Sequence, residues 1–323
     1  MKRKLVFIIN ILILIFIVCL LIGVYSPDIS ATKQDKIQIV TTIFPNYDFV
    51  KQIGKDKVEV KLLLKSGVES HTYEPTPKDM IDIEKCNLFI YTGNEFEPWA
   101  KDILESVNSQ IEVVDTSKNI ELINKEEFEE HYENDEIIEE EHEEHEGHHD
   151  ESSYDSHVWL NPDNAIIMID DICAKLCKID SENAEYYQAN ASSYKEEIKK
   201  LSAQYEEMIQ NSTRKEVAFA GEFSYSYFIE RYNLNFVSVY NNCGEGEDPS
   251  IAKVKSVIDY INNHNLPVVF YEELSEGTVA KMIGDETSAK SLVFYTIHNA
   301  NVQEDSYVSL MKKNFENLKE ALN

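Results

Sequence analysis

From Ser181 to Asn211 the chain reads SENAEYYQANASSYKEEIKKLSAQYEEMIQN, about thirty residues without a Gly or a Pro. Such a run favours one continuous helix, which at 1.5 Å per residue would be about 45 Å long. A single small domain offers no surface of that length to cover it. The helix is therefore expected to act as a strut with a folded unit on either side, its charged positions forming a solvated face.

On both sides of the strut, short apolar runs alternate with helical patterns, the signature of βα units around a mostly parallel sheet. Ahead of it, KIQIVTTIF, VEVKLLL, NLFIYTG and IEVVD read as strands. NYDFVKQIG, PKDMIDIEKC and EPWAKDILESV read as helices, with Pro77 in the first turn of the second. A further helix carrying Ile166, Ile167, Ile169, Ile172 and Leu176 on its apolar positions leads into the strut. Beyond it, EVAFAG, NFVSVY, LPVVFYE and SLVFYTI repeat the strand pattern among four helices, the last being SYVSLMKKNFENLKEALN. The expected fold class is α/β, with two lobes joined by a long rigid interdomain helix. Each lobe is a mostly parallel four-stranded sheet flanked by helices. The expected divisions are 1–36 (signal or membrane anchor and tether), 37–180 (first lobe), 181–211 (linking helix) and 212–323 (second lobe).

The net charge of −29 opposes nucleic-acid binding, which needs clustered Lys and Arg. About half of that charge is local, because Glu126 to Glu151 holds fifteen carboxylates and no Lys or Arg. His131, His142, His145, His148 and His149 are interspersed among them. The stretch 126–156 is expected to be a self-repelling acidic loop without packed structure, collecting divalent cations weakly at several places. At the N-terminus three basic residues precede an apolar run from Leu5 to Val24, an export signal or an uncleaved anchor. Cys19 within it is a candidate lipid-attachment site. Either form of anchoring places the remainder outside the cytoplasmic membrane. Cys86, Cys173, Cys177 and Cys243 have neither zinc-finger nor dense disulfide spacing. Cys173 and Cys177, one helical turn apart, are expected to pack in the interior.

Ligands of open α/β sheets bind beyond the carboxyl ends of the strands. The second strand is followed by GVESHTYEPTP, offering His71, and the fourth, across the acidic loop, by DSHVWLNP, offering His157. The first strand beyond the strut is followed by Glu222, and the last by His298. Three imidazoles and one carboxylate suit Zn²⁺ and also fit Mn²⁺ or Fe²⁺. A zinc hydrolase is the rival of another class, but GxSxG is absent, the HExxH spacing occurs only within the acidic loop as HEGHH at 145–149, and the ligand set leaves no open water position.

GVESHTYEPTPKDM, DSHVWLNPDNA and YSYFIERYNL resemble, in order, the first and second ligand loops and the third-ligand helix of the cluster A-I, zinc/manganese-type solute-binding proteins of metal ABC transporters. The resemblance extends from Lys36 to Asn323. It implies a metal held in a cleft between two lobes, a membrane permease as partner, a monomeric receptor and no enzymatic activity. It carries the ligand role onto His71, His157 and Glu222. The family's fourth ligand is usually an Asp after the last strand; here His298 stands in that region, with Glu272 or Glu273 as the other candidates. An acidic His-rich loop is a habit of zinc-type members and Glu at the third position of manganese-type members, so the resemblance leaves Zn²⁺ as the expected ion and Mn²⁺ or iron as the alternative.

Overall fold

The first sheet is built from β1 (Ile37–Thr41), β2 (Val58–Leu62), β3 (Leu88–Tyr91) and β4 (Glu112–Asp115) in the order β2-β1-β3-β4. The second, from β5 (Glu216–Phe219), β6 (Asn235–Ser238), β7 (Val268–Tyr271) and β8 (Lys290–Val293), has the corresponding order β6-β5-β7-β8. Every pairing is parallel. These are features of a computed structural model that describes residues 36–68, 73–106, 111–132, 153–240 and 249–323. In both sheets the chain begins on an inner strand, winds to one edge, then crosses back to the other side. That reversal opens a crevice at the carboxyl ends of the strands.

The helices of the first lobe are α1 (Phe44–Gly54), α2 (Pro77–Lys85), α3 (Trp99–Ser106), α4 (Lys125–Tyr132) and α5 (Pro162–Ile179). Local chemistry sets their starts: Thr76 and Asp79 form a capping box on α2, and the Asn161 side chain accepts from Asp163 N ahead of α5. The strut begins with a 3₁₀ turn at Ser181–Asn183 and continues as α6 (Ala184–Asn211), 28 residues or about 42 Å. Then follow α7 (Ser226–Tyr232), α8 (Ile251–His264), α9 (Thr278–Thr287) and α10 (Tyr307–Leu322).

One face of α6 is buried through Tyr187, Ala191, Tyr194, Ile198, Leu201, Tyr205 and Ile209, spaced three or four residues apart. This stripe belongs to a single apolar cluster that also takes in Phe49, Leu88 and Trp159 from the first lobe and Phe219, Phe270 and Met311 from the second. Smaller clusters lie under α2 and α3 on one sheet and under α8 and α9 on the other. Ile37–Asn323 accordingly forms one compact unit. Buried polar links reinforce the seam. Asp48 on α1 accepts from Tyr194 Oη of the strut at 2.5 Å and from Tyr307 N at the start of α10 at 3.0 Å. Tyr205 Oη donates to Met311 O at 2.6 Å.

Two elements differ from the sequence reading. The segment expected to be unstructured from residue 126 opens with α4, because Phe128 and Tyr132, one turn apart, pack against Phe223 and Phe236. Aromatic burial outweighs the charge repulsion there. The last strand stops at Val293 instead of running through Ile297, because side chains claim the next backbone groups. Asn314 Oδ1 accepts from Tyr295 N, and Glu273 accepts from Thr296 N and Ile297 N. Ile297, fully buried, sits at φ 66, a left-handed conformation that costs a β-branched residue on the order of 1–3 kcal/mol.

Among the described residues no helix is long and apolar enough to cross a membrane. The expected signal or anchor with Cys19, and Cys243, lie outside the described residues. Cys86, Cys173 and Cys177 are free thiols, the first two buried.

Tyr194→Phe removes one of the donors to a buried carboxylate that bridges both lobes. It is expected to lower the unfolding free energy by about 1–3 kcal/mol, read from urea denaturation at constant m-value.

Candidate metal centre

The chain on either side of residues 126–152 is pinned into a neck. Asn124 and Tyr154 form an antiparallel bridge, Lys125 N donates to Ser153 O at 3.0 Å, and Asp155 N donates to Ile123 O at 2.9 Å. Tyr227 of α7 spans the neck, its hydroxyl donating to Asp155 O at 2.9 Å and accepting from Ile123 N at 3.1 Å. Two residues further on, His157 is buried with 4% of its surface exposed. Its backbone N donates to Asp155 Oδ1 at 2.8 Å, and its Nδ1 meets the same oxygen at 2.8 Å. That contact selects the Nδ1–H tautomer and leaves Nε2, on the opposite side of the ring, as the lone-pair nitrogen. Burial alone would raise the Asp155 carboxyl, but the charge and hydrogen bonds of His157, with a bond from Ser226, hold it below the usual carboxylate range. Phe96 and Trp159 meet the imidazole edge to face, at centroid separations of 5.9 and 5.4 Å, and form an apolar wall.

His298 is likewise buried, and its Nδ1 lies 2.8 Å from Thr296 Oγ1. The Thr296 hydroxyl donates to Glu273 Oε1 at 2.9 Å and so can accept from His298 Nδ1–H. A carboxylate, a hydroxyl and an imidazole thus form a chain that orients the ring with Nε2 facing away from Thr296. The rings of His157 and His298 stand 6.4 Å apart. With Zn–N near 2.0–2.1 Å, two imidazoles sharing one ion have centroids roughly 5–6 Å apart, so a small shift serves both.

Glu222 follows β5 in a half-buried turn. Four residues later Ser226 bonds to Asp155, so the turn carrying Glu222 is tied to the base of His157. Beside Glu222 lies Glu272, whose carboxyl is raised by burial and by the nearby Glu222 charge. Gly221 makes that approach possible, since a Cβ there would fall 1.6 Å from Glu272 Oε2.

The structure therefore brings His157 and His298 together and sets Glu222 beside Glu272. It gives Glu273 a different position from that of a candidate ligand: both of its oxygens are engaged by Thr296 and Ile297. Burial raises the Glu273 carboxyl while those bonds act against the rise. His131, at the exposed end of α4, packs edge-on against Tyr132. His71, His142, His145, His148 and His149 lie outside the described residues. Reading along the chain missed the roles of Asp155, Thr296 and Glu273. Asp155 had a visible signal, a carboxylate two residues before a histidine; the other two depend on contacts between the loops that follow the neighbouring strands β7 and β8.

A second buried network lies at the carboxyl ends of β1, β3 and β4, next to Phe96. Glu97 accepts from the Thr42 hydroxyl and from Thr92 N at 2.8 Å, and Asn46 joins Thr92 to Thr116. Burial pushes the Glu97 carboxyl up to about 8.

Two α/β lobes around one seam, with a pair of buried imidazoles beyond the strand ends, make the frame of a binding protein; among the described residues no three His, Cys, Asp or Glu side chains gather closely enough to hold a metal ion. The chain belongs to the family described as zinc-uptake complex component A, periplasmic, which matches residues 39–321. That is a family of solute-binding components of uptake systems, not of enzymes. The chain is 34% identical over 296 residues to the high-affinity zinc uptake system protein ZnuA of Bacillus subtilis, covering 90% of this chain and 89% of that one. It is 28% identical to the zinc-binding protein AdcA of Streptococcus pyogenes over 88% of its own length, but spans only 56% of AdcA. Among solved structures, the metal-dependent lipoprotein YcdH of Bacillus subtilis superposes with a TM-score of 0.73 at 30% identity, covering 89% of this chain and all of that one. The Zn(II)-bound ZnuA-like domain of Streptococcus pneumoniae AdcA shares the fold, with a TM-score of 0.71 at 24% identity over 89% of this chain and 99% of that domain.

Asp155→Asn is expected to weaken divalent-metal binding about 10- to 100-fold by releasing the imidazole orientation, measured by competition with a chromophoric chelator. Glu97 binds its proton more tightly folded than unfolded, so its contribution to stability is full below pH about 4.5 and declines as pH rises toward about 8. Glu97→Gln should remove about 3–5 kcal/mol of that decline, read as the difference between wild-type and variant urea midpoints across the same pH range.

Proposed function

We propose that this chain is an extracytoplasmic receptor of an ABC importer that captures Zn²⁺ between its lobes and delivers it to a membrane permease. The observation that carries the reading is the pair His157 and His298, two buried imidazoles 6.4 Å apart, each held at Nδ1 by its own oxygen partner. In this proposal His71, His157, Glu222 and His298 replace the hydration shell of the ion, Asp155 and the Thr296–Glu273 chain orient the rings, and Phe96 and Trp159 exclude water. His131, His142, His145, His148 and His149 belong to a low-affinity collecting region that raises local supply. The zinc-uptake and zinc-binding relatives support zinc as the cargo. The lobes in this reading are 37–180 and 212–323, linked by 181–211, and the monomer is held at the membrane by Cys19 lipidation or an uncleaved apolar segment.

One observation favours a second reading. Glu222 lies near enough for its charge to raise the Glu272 carboxyl, and carboxylates are harder donors than imidazole and suited to Mn²⁺. Metal analysis of protein purified without added metal, followed by competition between Zn²⁺ and Mn²⁺, separates the two. The expected result is one tightly held zinc per chain, lost in His157→Ala and retained after deletion of 133–152. A site that prefers Mn²⁺ sinks the zinc reading, and a tight site that disappears with the deletion sinks the assignment to the cleft. Because one apolar seam joins the lobes, scattering profiles of metal-free and metal-bound protein should nearly coincide, and a large change in radius would contradict the rigid-receptor mechanism.

A further inference from the structure

The segment 155–163, which carries His157, lies ahead of the strut but is held at three points by side chains from beyond it. At its start Tyr227 of α7 donates to Asp155 O at 2.9 Å and accepts from Ile123 N at 3.1 Å, while Ser226 bonds to the Asp155 carboxylate. In its middle Trp159 O accepts from Tyr307 Oη at 2.8 Å, and Trp159 Nε1 donates to Thr296 O at 2.8 Å. At its end Asp163 pairs with Arg231 of α7 at 2.8 Å. Both members of that ion pair are partly exposed, so it contributes little. Ser226 and Tyr227 are buried, and they act on the residue that orients His157.

Asp155 is fixed through its main chain and does its work through its side chain. Its backbone N donates to Ile123 O at 2.9 Å and its backbone O accepts from Tyr227, so the chain is held on both sides. Its carboxylate then faces His157, accepting from the backbone N and meeting Nδ1, both at 2.8 Å. Serving the Asp155 carbonyl and the Ile123 amide together takes a group that donates and accepts at once, which a phenol does. Phenylalanine there would leave both backbone groups without that partner and free the peptide that carries the orienting carboxylate. We propose that Ser226 and Tyr227 are positioning residues: by fixing Asp155, they let the second lobe set the His157 imidazole before an ion arrives, and so set how tightly the ion is held. This rests on the reading of His157 as a metal ligand. His298, braced separately by Thr296 and Glu273, keeps its orientation when either residue is changed.

Tyr227→Phe in the full chain is expected to weaken zinc binding about 10-fold, the lower end of the range for lost orienting partners, measured by competition with a chromophoric chelator. Hydrogen exchange at the Ile123 and Asp155 amides of the metal-free protein should accelerate. Ser226→Ala, which removes the bond to the same carboxylate, should weaken binding in the same direction and serves if Tyr227→Phe folds poorly. Tyr205→Phe supplies the comparison, because its buried hydroxyl also fastens the seam but donates to Met311 O rather than to the His157 segment. It should lower stability and leave zinc affinity near wild type. In the Asp155→Asn background Tyr227→Phe should add little further loss, since both act through one carboxylate. Unchanged affinity in either α7 variant, an equal loss of affinity in Tyr205→Phe, or full additivity with Asp155→Asn overturns the proposal. If His157→Ala leaves tight zinc binding intact, the metal site falls and the positioning role with it, whereas unchanged affinity in the α7 variants beside a normal His157 dependence sinks the positioning role alone.

Discussion

Burial of one face of α6 against helices of both lobes, α1 and α5 on one side and α7 and α10 on the other, is the constraint on which the other features depend. Most of the stability of a helix within a protein comes from packing of its apolar face, and the tyrosine-rich stripe of α6 makes it the shared wall of a single core. Burying a large side chain there contributes roughly 1.5–3 kcal/mol, and many such residues act together across the seam. The phenols of Tyr194 and Tyr205 fasten it to Asp48 and Met311. With that core in place, neither sheet can move as a whole without exposing apolar surface. Changes at the centre are left to short segments at the strand ends.

Those segments are braced by different partners. The loop with His298 is held by a buried carboxylate, an indole and a helix N-terminus, enough to maintain Ile297 in an unfavourable backbone conformation. His157 is held by a carboxylate two residues away and by an α7 that docks on the same carboxylate. Residues 65–68 are held by three hydrogen bonds to Asn299.

Much of the fold is legible along the chain. Strand-length apolar runs alternating with helix patterns mark the eight strands of the two sheets, because parallel strands buried on both faces stay apolar throughout. The errors fall where distant residues override local pattern: α4 forms within an acidic tract because Phe128 finds Phe223 and Phe236, and β8 ends early because Glu273 and Asn314 capture the backbone beyond Val293. The candidate site is legible to the same extent. His157 and His298 follow from asking what stands after each strand, while the division of labour between Glu272 and Glu273, adjacent in the chain, does not.

The order of elements, the length of the strut and the kinds of donor atom available at the strand ends are set by the sequence itself, since they follow from hydrophobic period, Gly and Pro placement and residue chemistry. Which carboxylate orients a ring, which one stands beside Glu222, and that Asn299 ties down a segment far earlier in the chain were decided only by the tertiary structure. Hydrogen bonds are directional and short in range, so their partners depend on where the packed core delivers each backbone, and neighbouring residues in the chain can be delivered to different tasks.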